Sequence, residues 1–513
     1  MGELLERTAG KILLAISMLL LWGLTYYSMR YTQVLQDGTE IPLDKADSMG
    51  RNLIVFFVVV TVFFLLRNGI LKKRFSVSDR MRRTMVASAV IYVAIVSVVW
   101  VTICHVVPQA DGARCVEIAA SFLQGDYRQM MPPGYLCYFP HQYSLVAVIQ
   151  LQFYLFGSGN YLVFQYMNAL CMPLLFYSGY QMLMLIYGKL EPVLYYVVLF
   201  VSCLPLFLYV PYVYGEITSI TFNMVLMWQV VRYCKTGKRS CWVFGTLAVV
   251  FACMMRMNSL IVLIAAGIVL VAYAVRNIKP QAIAWLLAMI IAVYAANGCV
   301  RAYYEKVSGN EILDGVPYIS WVLMGLQDSG NGPGWYNGTN DTELTIHDLD
   351  AELTAIDNKR AVEERLSELY ENKAYAVDFF RRKILSQWNS PAYHSFFETG
   401  TFDCSREELP DLVRRIYYDE ADAVMTFMNR YQFVLYFCSA IMATVTFFCR
   451  KKERWLEDYI LLIAVVGGFL FSILWEALSR YVLAYVVFMI PLASVGMWKL
   501  QEMLCSHQVP ESA

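Results

Sequence analysis

The sequence predicts an all-α polytopic membrane protein with about 12 transmembrane helices. Of its 513 residues, 58% are hydrophobic and only 16% are charged, and the mean hydropathy is +0.48. The apolar residues occur in runs whose length, roughly 18 residues or more, is typical of helices that cross a bilayer. Clusters of Lys and Arg separate several of these runs. The formal net charge of zero carries no information about partners.

The apolar runs define the candidate spans, although several are short for a straight crossing. They lie at 11–29, 52–66, 84–107, 161–187, 191–211, 217–231, 241–255, 258–275, 281–300, 431–449, 457–475 and 481–498. Loops rich in Lys and Arg remain in the cytoplasm, and four segments qualify: 67–83, 231–240, 275–280 and 449–454. This charge bias places both termini in the cytoplasm. The segments 30–51, 108–160, 302–430 and 476–480 then face outward.

The run at 141–157 decides the topology. Counted as a span, it would move the basic 231–240 loop to the outer side and violate the charge bias. We therefore predict that it is an interfacial helix on the outer membrane face.

The outward region 302–430 differs in composition from the rest of the chain. Its central part, 341–388, is polar, and its apolar residues recur at helical spacing, so a mainly helical insert is predicted. The chain then divides into an N-terminal two-helix addition (1–83), a transmembrane core (84–301) containing the outer loop 108–160, the insert (302–430) and the C-terminal helices with a short tail (431–513).

Most of the 13 cysteines lie inside apolar runs, where they behave as small hydrophobic residues. No CxxC or Cys/His spacing indicates a structural zinc site, and no residue is predicted to bind a metal. The sequence implies no cofactor. It leaves open whether a divalent metal helps to hold a phosphate.

Polar residues collect at the predicted outer ends of several helices. A charge at the mouth of a membrane helix is costly to desolvate, so each is a candidate for function. Asp111, Arg114, Glu117 and Asp126 lie on the first outer loop; Tyr212, Tyr214 and Glu216 follow the run at 191–211; Arg256 and Asn258 lie between two spans; Glu476, Arg480 and Tyr481 lie near the C-terminus. Each alone is equally explained as a helix cap, an interface aromatic or a snorkelling side chain.

Together these residues match one chemistry, the transfer of a sugar from a lipid phosphate. A carboxylate at the membrane surface can act as general base on an acceptor hydroxyl. Arginines bind phosphate through paired hydrogen bonds and would stabilise the departing polyprenyl phosphate. No nucleotide-binding glycine motif occurs in a suitable context.

One stretch carries a resemblance. The segment ADGARCVEIAASFLQGDY (110–127) resembles the first outer-loop motif of the GT-C glycosyltransferases, particularly the branch of aminoarabinose lipid A transferases and protein O-mannosyltransferases. The residues that match in register are Asp111, Arg114, Glu117, Ile118, Ala119, Gly125 and Asp126. The following YFPHQYSLVAVIQLQFYLFG (138–157) is similar to the aromatic turn and amphipathic helix of the family. The pattern from Glu476 to Tyr481 is also similar to sequences in these enzymes.

The resemblance, which covers about 84–300, implies a GT-C fold and a hexosyl- or pentosyltransferase that inverts the anomeric centre. It implies Asp111 as general base and Glu216 as a second acidic residue. The donor phosphate would be bound by Arg256, Arg480, His141 and Arg114. Support for the substrate pocket would come from Glu117, Asp126, Tyr212, Tyr214, Asn258, Glu476 and Tyr481.

The implied donor is a polyprenyl-phosphate-linked sugar and the implied acceptor a glycan, lipid or protein of the cell envelope. Membrane lipids are the other expected partner, nucleic acid is not expected, and the expected location is a bacterial-type plasma membrane. Two departures from the family pattern stand out. Gly112 replaces the usual second acid, and His141 takes the place of an expected Lys, so it would bind phosphate well only when protonated.

Two alternatives remain. The number of spans also suits a secondary transporter or a flippase for lipid-linked sugars, but transporters place polar groups near the bilayer midplane and often have two related halves. Neither feature is visible in the sequence. A catalytically inactive GT-C homologue is the other alternative, because Gly112 removes an acid.

Overall fold

The computed structural model describes residues 2–35, 40–65, 79–449 and 454–506, and this part of the chain is mainly helical. In chain order the α-helices are α1 (Gly2–Arg30), α2 (Met49–Leu65), α3 (Asp79–Cys104), α4 (Ala110–Leu123), α5 (Tyr135–Tyr138), α6 (Tyr143–Phe156), α7 (Leu162–Tyr187), α8 (Glu191–Val201), α9 (Leu204–Leu208), α10 (Glu216–Thr236), α11 (Ser240–Met255), α12 (Leu260–Asn277), α13 (Pro280–Ser308), α14 (Tyr318–Leu326), α15 (Thr339–Ile346), α16 (Ala351–Glu371), α17 (Lys373–Trp388), α18 (Ser395–Glu398), α19 (Asp411–Arg414), α20 (Ala421–Phe448), α21 (Ile460–Leu474) and α22 (Leu483–Ser506).

The all-α polytopic class is confirmed. Within the described residues, eight helices are long and apolar enough to cross a membrane: α1, α3, α7, α12, α13, α20, α21 and α22, with α12, α21 and α22 counted together with the 3₁₀ turns that precede them. Three apolar helices, α2, α8 and α11, are shorter. The predicted run 191–211 is not one helix but two, α8 and α9. Pro205 lies in the first turn of α9, and because it has no backbone N–H it cannot continue the hydrogen bonding of α8.

Charged residues mark the two ends of the helix bundle. At one end, which we call the distal end, Arg276 of α12 pairs with Glu6 of α1 and Glu457 before α21, each at 2.8 Å, and Lys235 of α10 lies 2.6 Å from Asp458. The opposite ends of α10, α12 and α21 carry the candidate residues described below. A helix of the length of α12 rises about 27 Å, which is close to the thickness of a bilayer core.

The predicted outer loop 30–51 contains the one β-sheet found in the described residues. Strands β1 (Tyr31–Leu35) and β2 (Pro42–Ala46) are antiparallel, with Tyr31 opposite Ala46 and Leu35 opposite Pro42. The hairpin is hydrogen-bonded to the end of α17 in the insert, because Gln33 N donates to Asn389 O at 3.1 Å and Asn389 Nδ2 donates to Tyr31 O at 2.8 Å.

The predicted helical content of the insert is confirmed by α14 to α19. Helices α14, α16 and α17 share a small hydrophobic core of their own, formed by Leu323, Leu326, Val362, Leu369 and Phe379. The end of α17 instead enters the main core. Trp388 is fully buried and its Nε1 donates to Ser472 Oγ at 2.9 Å, while Lys383 Nζ donates to Ile473 O at 2.9 Å. The insert is therefore attached directly to α21.

Helix α6 corresponds to the segment predicted to be interfacial. Its 14 residues span about 21 Å, which is less than a bilayer core. One face, with Ile149 and Phe153, is buried, whereas Leu151, Tyr154 and Leu155 on the other face are exposed. An exposed apolar face on a helix of this length is typical of a helix that lies on a membrane.

Candidate active site

The site begins with an irregular stretch of backbone between α9 and α10. Backbone carbonyls outside regular structure require partners when they are buried. Two side chains of α7 supply them: Asn168 Nδ2 donates to Val210 O and Tyr212 O at 3.1 and 2.9 Å, and Gln165 Nε2 donates to Pro211 O at 2.8 Å. The buried amides therefore fix the segment that leads to Glu216.

Gly215 then sets the position of Glu216. It has φ +93°, and a Cβ atom there would lie 2.8 Å from Met255 O, so only glycine suits this turn. The close approach brings the start of α10 against the end of α11. As a result the Glu216 carboxylate lies 2.8 Å from the guanidinium of Arg256, and both side chains are largely buried.

Arg480 completes the charged group. Its Nε lies 3.5 Å from Glu216 Oε1, and its Nη1 donates to Glu398 Oε1 at 2.6 Å and to the Tyr212 hydroxyl. The side chains of Arg480, Glu216 and Glu398 are all at most 6% exposed. We call Glu216, Arg256, Glu398 and Arg480 the buried charge cluster. It contains two arginines and two carboxylates, so its formal charges balance.

Two tyrosines hold the arginines in place. The Arg256 guanidinium lies over the ring of Tyr214 at 4.9 Å and over that of Tyr481 at 5.6 Å. Arg480 lies over the same two rings at 5.1 and 5.5 Å. Such contacts stabilise a cation most when water is excluded. The sequence analysis selected both tyrosines, and the structure places both against the arginines.

A cavity of about 40 Å³ opens beside the cluster and is lined by Glu216, Asn223, Arg256, Asn258, Arg480 and Tyr481, among others. Both carboxylate oxygens of Glu216 are fully buried and lack a hydrogen bond of good geometry among the described residues. The ion pairs to Arg256 and Arg480 balance the charge of Glu216, but a buried oxygen without a well-aligned hydrogen bond calls for an explanation such as a bound water or ligand. The cavity can accept a polar group that the protein alone does not supply.

Asp111 lies within electrostatic range of residues that contact this cluster. It is the second residue of α4, in the first turn, and it is half-buried. His141 connects it to the cluster, since the ring lies close enough to both Asp111 and Arg256 to feel the charge of each. Tyr214, which contacts both arginines, is also within electrostatic range of Asp111. The structure therefore brings together Asp111, Glu216, Arg256 and Arg480, which lie far apart in the sequence.

The structure explains why position 112 carries no acid. A Cβ atom on Gly112 would lie 2.8 Å from Val213 O, because α4 packs directly against the segment before Gly215. A carboxylate side chain cannot be accommodated there without moving one of the two segments. The close packing of α4 against this segment therefore favours glycine at position 112.

Glu476 and His141 differ from ordinary surface groups. Glu476 is buried and accepts a hydrogen bond from the Tyr481 hydroxyl at 3.0 Å, and burial raises its pKa to about 7, with a contribution from the nearby Asp111 charge. His141 is an exposed residue, but desolvation of its imidazole by neighbouring groups, followed by the charge of Arg256, lowers its pKa to about 4. At neutral pH His141 is uncharged, so it can offer a phosphate one N–H group but no charge.

Three of the candidate residues lie on the outer surface instead. Arg114 and Glu117 form an ion pair of 3.5 Å on α4 with side chains 63% and 66% exposed. Asp126 pairs with Arg128 at 2.6 Å, and these hydrogen bonds lower the pKa of Asp126 to about 2. The structure does not bring these three residues to the buried charge cluster.

Glu398 is the residue that the sequence analysis missed. It lies in α18 within the insert, where no apolar periodicity or charge pattern distinguishes it from other acidic residues. Its partner Arg480 is 82 positions away, so the pairing becomes apparent only in three dimensions. The stretch Trp388–Ser395 is buried and contains three aromatic or histidine residues, and these residues were the available signal that this part of the insert is not solvated.

A separate group of potential metal ligands lies outside the cavity lining. In the described parts of the chain, ligand atoms of His105, Asp403 and Cys404 lie within 4.8 Å of one another, and His105 Nδ1 is 3.1 Å from Asp403. His105 and Asp403 are exposed. With three donors this group is one ligand short of the usual structural zinc site.

We compared the chain with models of protein families, with curated proteins and with solved structures, and found no match in any of the three comparisons.

Proposed function

We propose that this protein is a membrane glycosyltransferase of the GT-C type, which transfers a sugar from a polyprenyl-phosphate donor to a cell-envelope acceptor on the outer face of a plasma membrane. The observation that carries the proposal is that Tyr214, whose ring contacts two buried arginines lining a cavity, is also within electrostatic range of the Asp111 carboxylate. A general base next to a phosphate-binding group at one end of a helix bundle is what this reaction requires.

The proposed topology has twelve crossings with the site end outside. Support comes from the distal end, where Lys235 and Arg276 both form ion pairs with Glu457. Because basic residues are retained in the cytoplasm, the distal end is the cytoplasmic end in this proposal. Asp111, the insert and the exposed apolar face of α6 then belong to the outer side.

In the proposed reaction, Asp111 takes the proton from an acceptor hydroxyl as its oxygen bonds to the anomeric carbon. The bond between that carbon and the phosphate oxygen breaks, and its electron pair leaves with the polyprenyl phosphate. Arg256 and Arg480 stabilise the negative charge on the leaving phosphate. Glu216 keeps both guanidinium groups at the cavity before the donor binds, so their ordering does not have to occur in the reaction.

The test uses the purified protein in lipid nanodiscs with radiolabelled polyprenyl-phosphate sugars and a crude envelope acceptor. Asp111→Asn should reduce sugar transfer at least a hundredfold, since a general base contributes about 10²–10⁴ in rate. Asp422→Asn is the control, because Asp422 is also an aspartate in the first turn of a helix, α20, but is exposed, and this variant should keep wild-type turnover. Full turnover by Asp111→Asn would refute the assignment. Movement of the intact lipid-linked sugar across vesicles without cleavage would instead support a flippase.

A further inference from the structure

A second and much larger cleft opens on the outer side of α4. Its volume is about 570 Å³, within the range of about 300–1,000 Å³ that is usual for small-molecule sites. One wall belongs to the outer loop and the other to α15 of the insert. The lining includes Arg114, Gln129, Tyr135, Tyr138, Asp341 and Thr345.

The lining mixes aromatic rings with side-chain hydrogen-bonding groups. Tyr135, Tyr138 and Phe139 present rings on the loop side, and the rings of Tyr135 and Phe139 are 5.0 Å apart. Arg114 contributes donors and Asp341 contributes acceptors, on opposite walls. The Tyr138 hydroxyl lies 3.1 Å from Thr345 Oγ1 and so connects the walls at one point.

This combination suits a pyranose ring better than a peptide or an acyl chain. A sugar offers a C–H face that packs on an aromatic ring, and hydroxyl groups that both donate and accept hydrogen bonds. Peptide-binding grooves use an open strand edge or a continuous apolar floor. The walls of this cleft are helices and turns, and its lining residues include the polar side chains of Arg114, Gln129 and Asp341.

The cleft lies beside Asp111. Arg114 lies three residues after Asp111 on α4 and so projects from the same side of the helix. Tyr135 is within electrostatic range of Asp111, and so is Tyr336, whose hydroxyl is 3.4 Å from Asp341. A molecule in the cleft can therefore extend a hydroxyl group towards the Asp111 carboxylate.

We infer that this cleft binds a saccharide ring of the acceptor. The inference rests on the proposed function for its biological meaning and specifies the acceptor class as a glycan. The insert then takes part in acceptor choice, since α15 forms one wall. Sugar binding in the cleft requires neither the lipid donor nor turnover, so it can be measured by itself.

The experiment is saturation-transfer NMR with the full-length protein in nanodiscs. The probes are the methyl pyranosides of glucose, galactose, mannose and N-acetylglucosamine. Wild type and Asp111→Asn should both give signals from ring protons of at least one probe, above those of empty nanodiscs. Ile346→Trp should reduce these signals at least fivefold, because Ile346 is 66% exposed at the cleft and a larger ring there fills it. Tyr138→Ala should reduce them similarly by removing an aromatic face.

Tyr370→Ala is the matched control, because Tyr370 is a highly exposed tyrosine of the insert on α16 and does not line the cleft. It should keep the wild-type signals. The inference would be overturned if the wild-type signals were no stronger than those of empty nanodiscs. It would also be overturned if the signals were unchanged in both cleft variants. Binding of envelope-derived peptides in place of the sugars would overturn it as well. Turnover by Asp111→Asn together with cleft-dependent sugar binding would refute the catalytic assignment alone and leave the saccharide site in place.

Discussion

The guanidinium of Arg480 lies 2.6 Å from Glu398 and 3.5 Å from Glu216, and all three side chains are buried. This arrangement joins the insert, the start of α10 and the start of the last helix through one cation. Burying two carboxylates and an arginine is costly unless each charge has a partner. The contact therefore fixes the position of the insert relative to the cavity, and its loss affects stability and geometry together.

The Arg480–Glu398 contact predicts strong coupling in a double-mutant cycle. Arg480→Met should destabilise the protein by about 3–5 kcal/mol, because it leaves the buried Glu398 carboxylate without its cation, whereas Glu216 keeps Arg256. Glu398→Gln should cost less, since Arg480 keeps Glu216. The double variant should be clearly more stable than the sum of the single effects predicts. Thermal unfolding in detergent measures all four proteins.

A control cycle uses Arg360 and Glu364, an exposed pair on α16 at 3.6 Å with side chains 77% and 70% exposed. Its coupling should be about 0.3–0.5 kcal/mol, as for other helical surface pairs. Equal coupling in the two cycles would mean that the Arg480 contact contributes no more than a surface ion pair.

The sequence was informative about the ends of helices and uninformative about the insert. Asp111, Glu216, Arg256 and Arg480 could be selected because each interrupts or borders an apolar run, and such charges are rare without a role. Their convergence could be anticipated because helices of alternating direction bring every second end to the same face. Glu398 has no such marker, since it lies among many acidic residues in a polar region.

The remaining differences have local physical causes. The break between α8 and α9 depends on one proline, and the long apolar run concealed it. The β-hairpin near residue 31 is a short element whose strands are stabilised by the insert, through Asn389, rather than by a pattern of their own. In both cases a contact distant in sequence, or a single residue, outweighs the periodicity of the segment.

The close packing around Gly112 predicts that a substitution there reduces stability and sugar transfer without removing any charge. Gly112→Ala places a Cβ atom 2.8 Å from Val213 O, so α4 and the segment before Gly215 must separate. Overpacking of this kind costs about 1–3 kcal/mol, and the shift also moves Asp111 away from Tyr214. We expect a lower melting temperature and at least a tenfold loss of sugar transfer.

Gly298→Ala, in the interior of α13 with no atom within 4 Å of the new Cβ, should be neutral or slightly stabilising. An unchanged melting temperature for Gly112→Ala would contradict the packing described here.

The raised pKa of Glu476 predicts that the stability of the protein depends on pH. Burial raises its pKa from 4.5 to about 7, so the folded protein holds this proton more tightly than the unfolded chain does. Its favourable effect is complete below about pH 4.5 and is lost as the pH rises through about 7. Glu476→Gln cannot ionise and can still accept the hydrogen bond from Tyr481. At pH 8 the free energy of unfolding of the variant should therefore exceed that of wild type by up to about 3 kcal/mol, and its melting temperature should be higher. At pH 5 both differences should be much smaller.

The control for this measurement is Glu371→Gln, which changes an exposed carboxylate at the end of α16. Its melting temperature relative to wild type should not vary with pH between 5 and 8 in the way that Glu476→Gln does. A parallel pH dependence of wild type and Glu476→Gln would show that Glu476 ionises normally.

Arg276 at the distal end predicts a loss of stability without a loss of function. Its guanidinium lies 2.8 Å from both Glu6 and Glu457 and 4.3 Å from the ring of Trp455, and its side chain is 8% exposed. Arg276→Met leaves two buried carboxylates without this cation and should destabilise the protein by about 3–5 kcal/mol, similar to Arg480→Met. Because α12, which is about 27 Å long, separates Arg276 from Arg256, the KM for the polyprenyl-phosphate sugar should stay at its wild-type value at temperatures where the variant is folded. Arg256→Met should instead raise that KM or abolish turnover, since a phosphate loses a paired donor.

Measuring both variants at the same temperature separates the two ends of the bundle. If Arg276→Met also raised the KM, the charge clusters would act as one unit and the assignment of phosphate binding to the cavity end alone would be wrong.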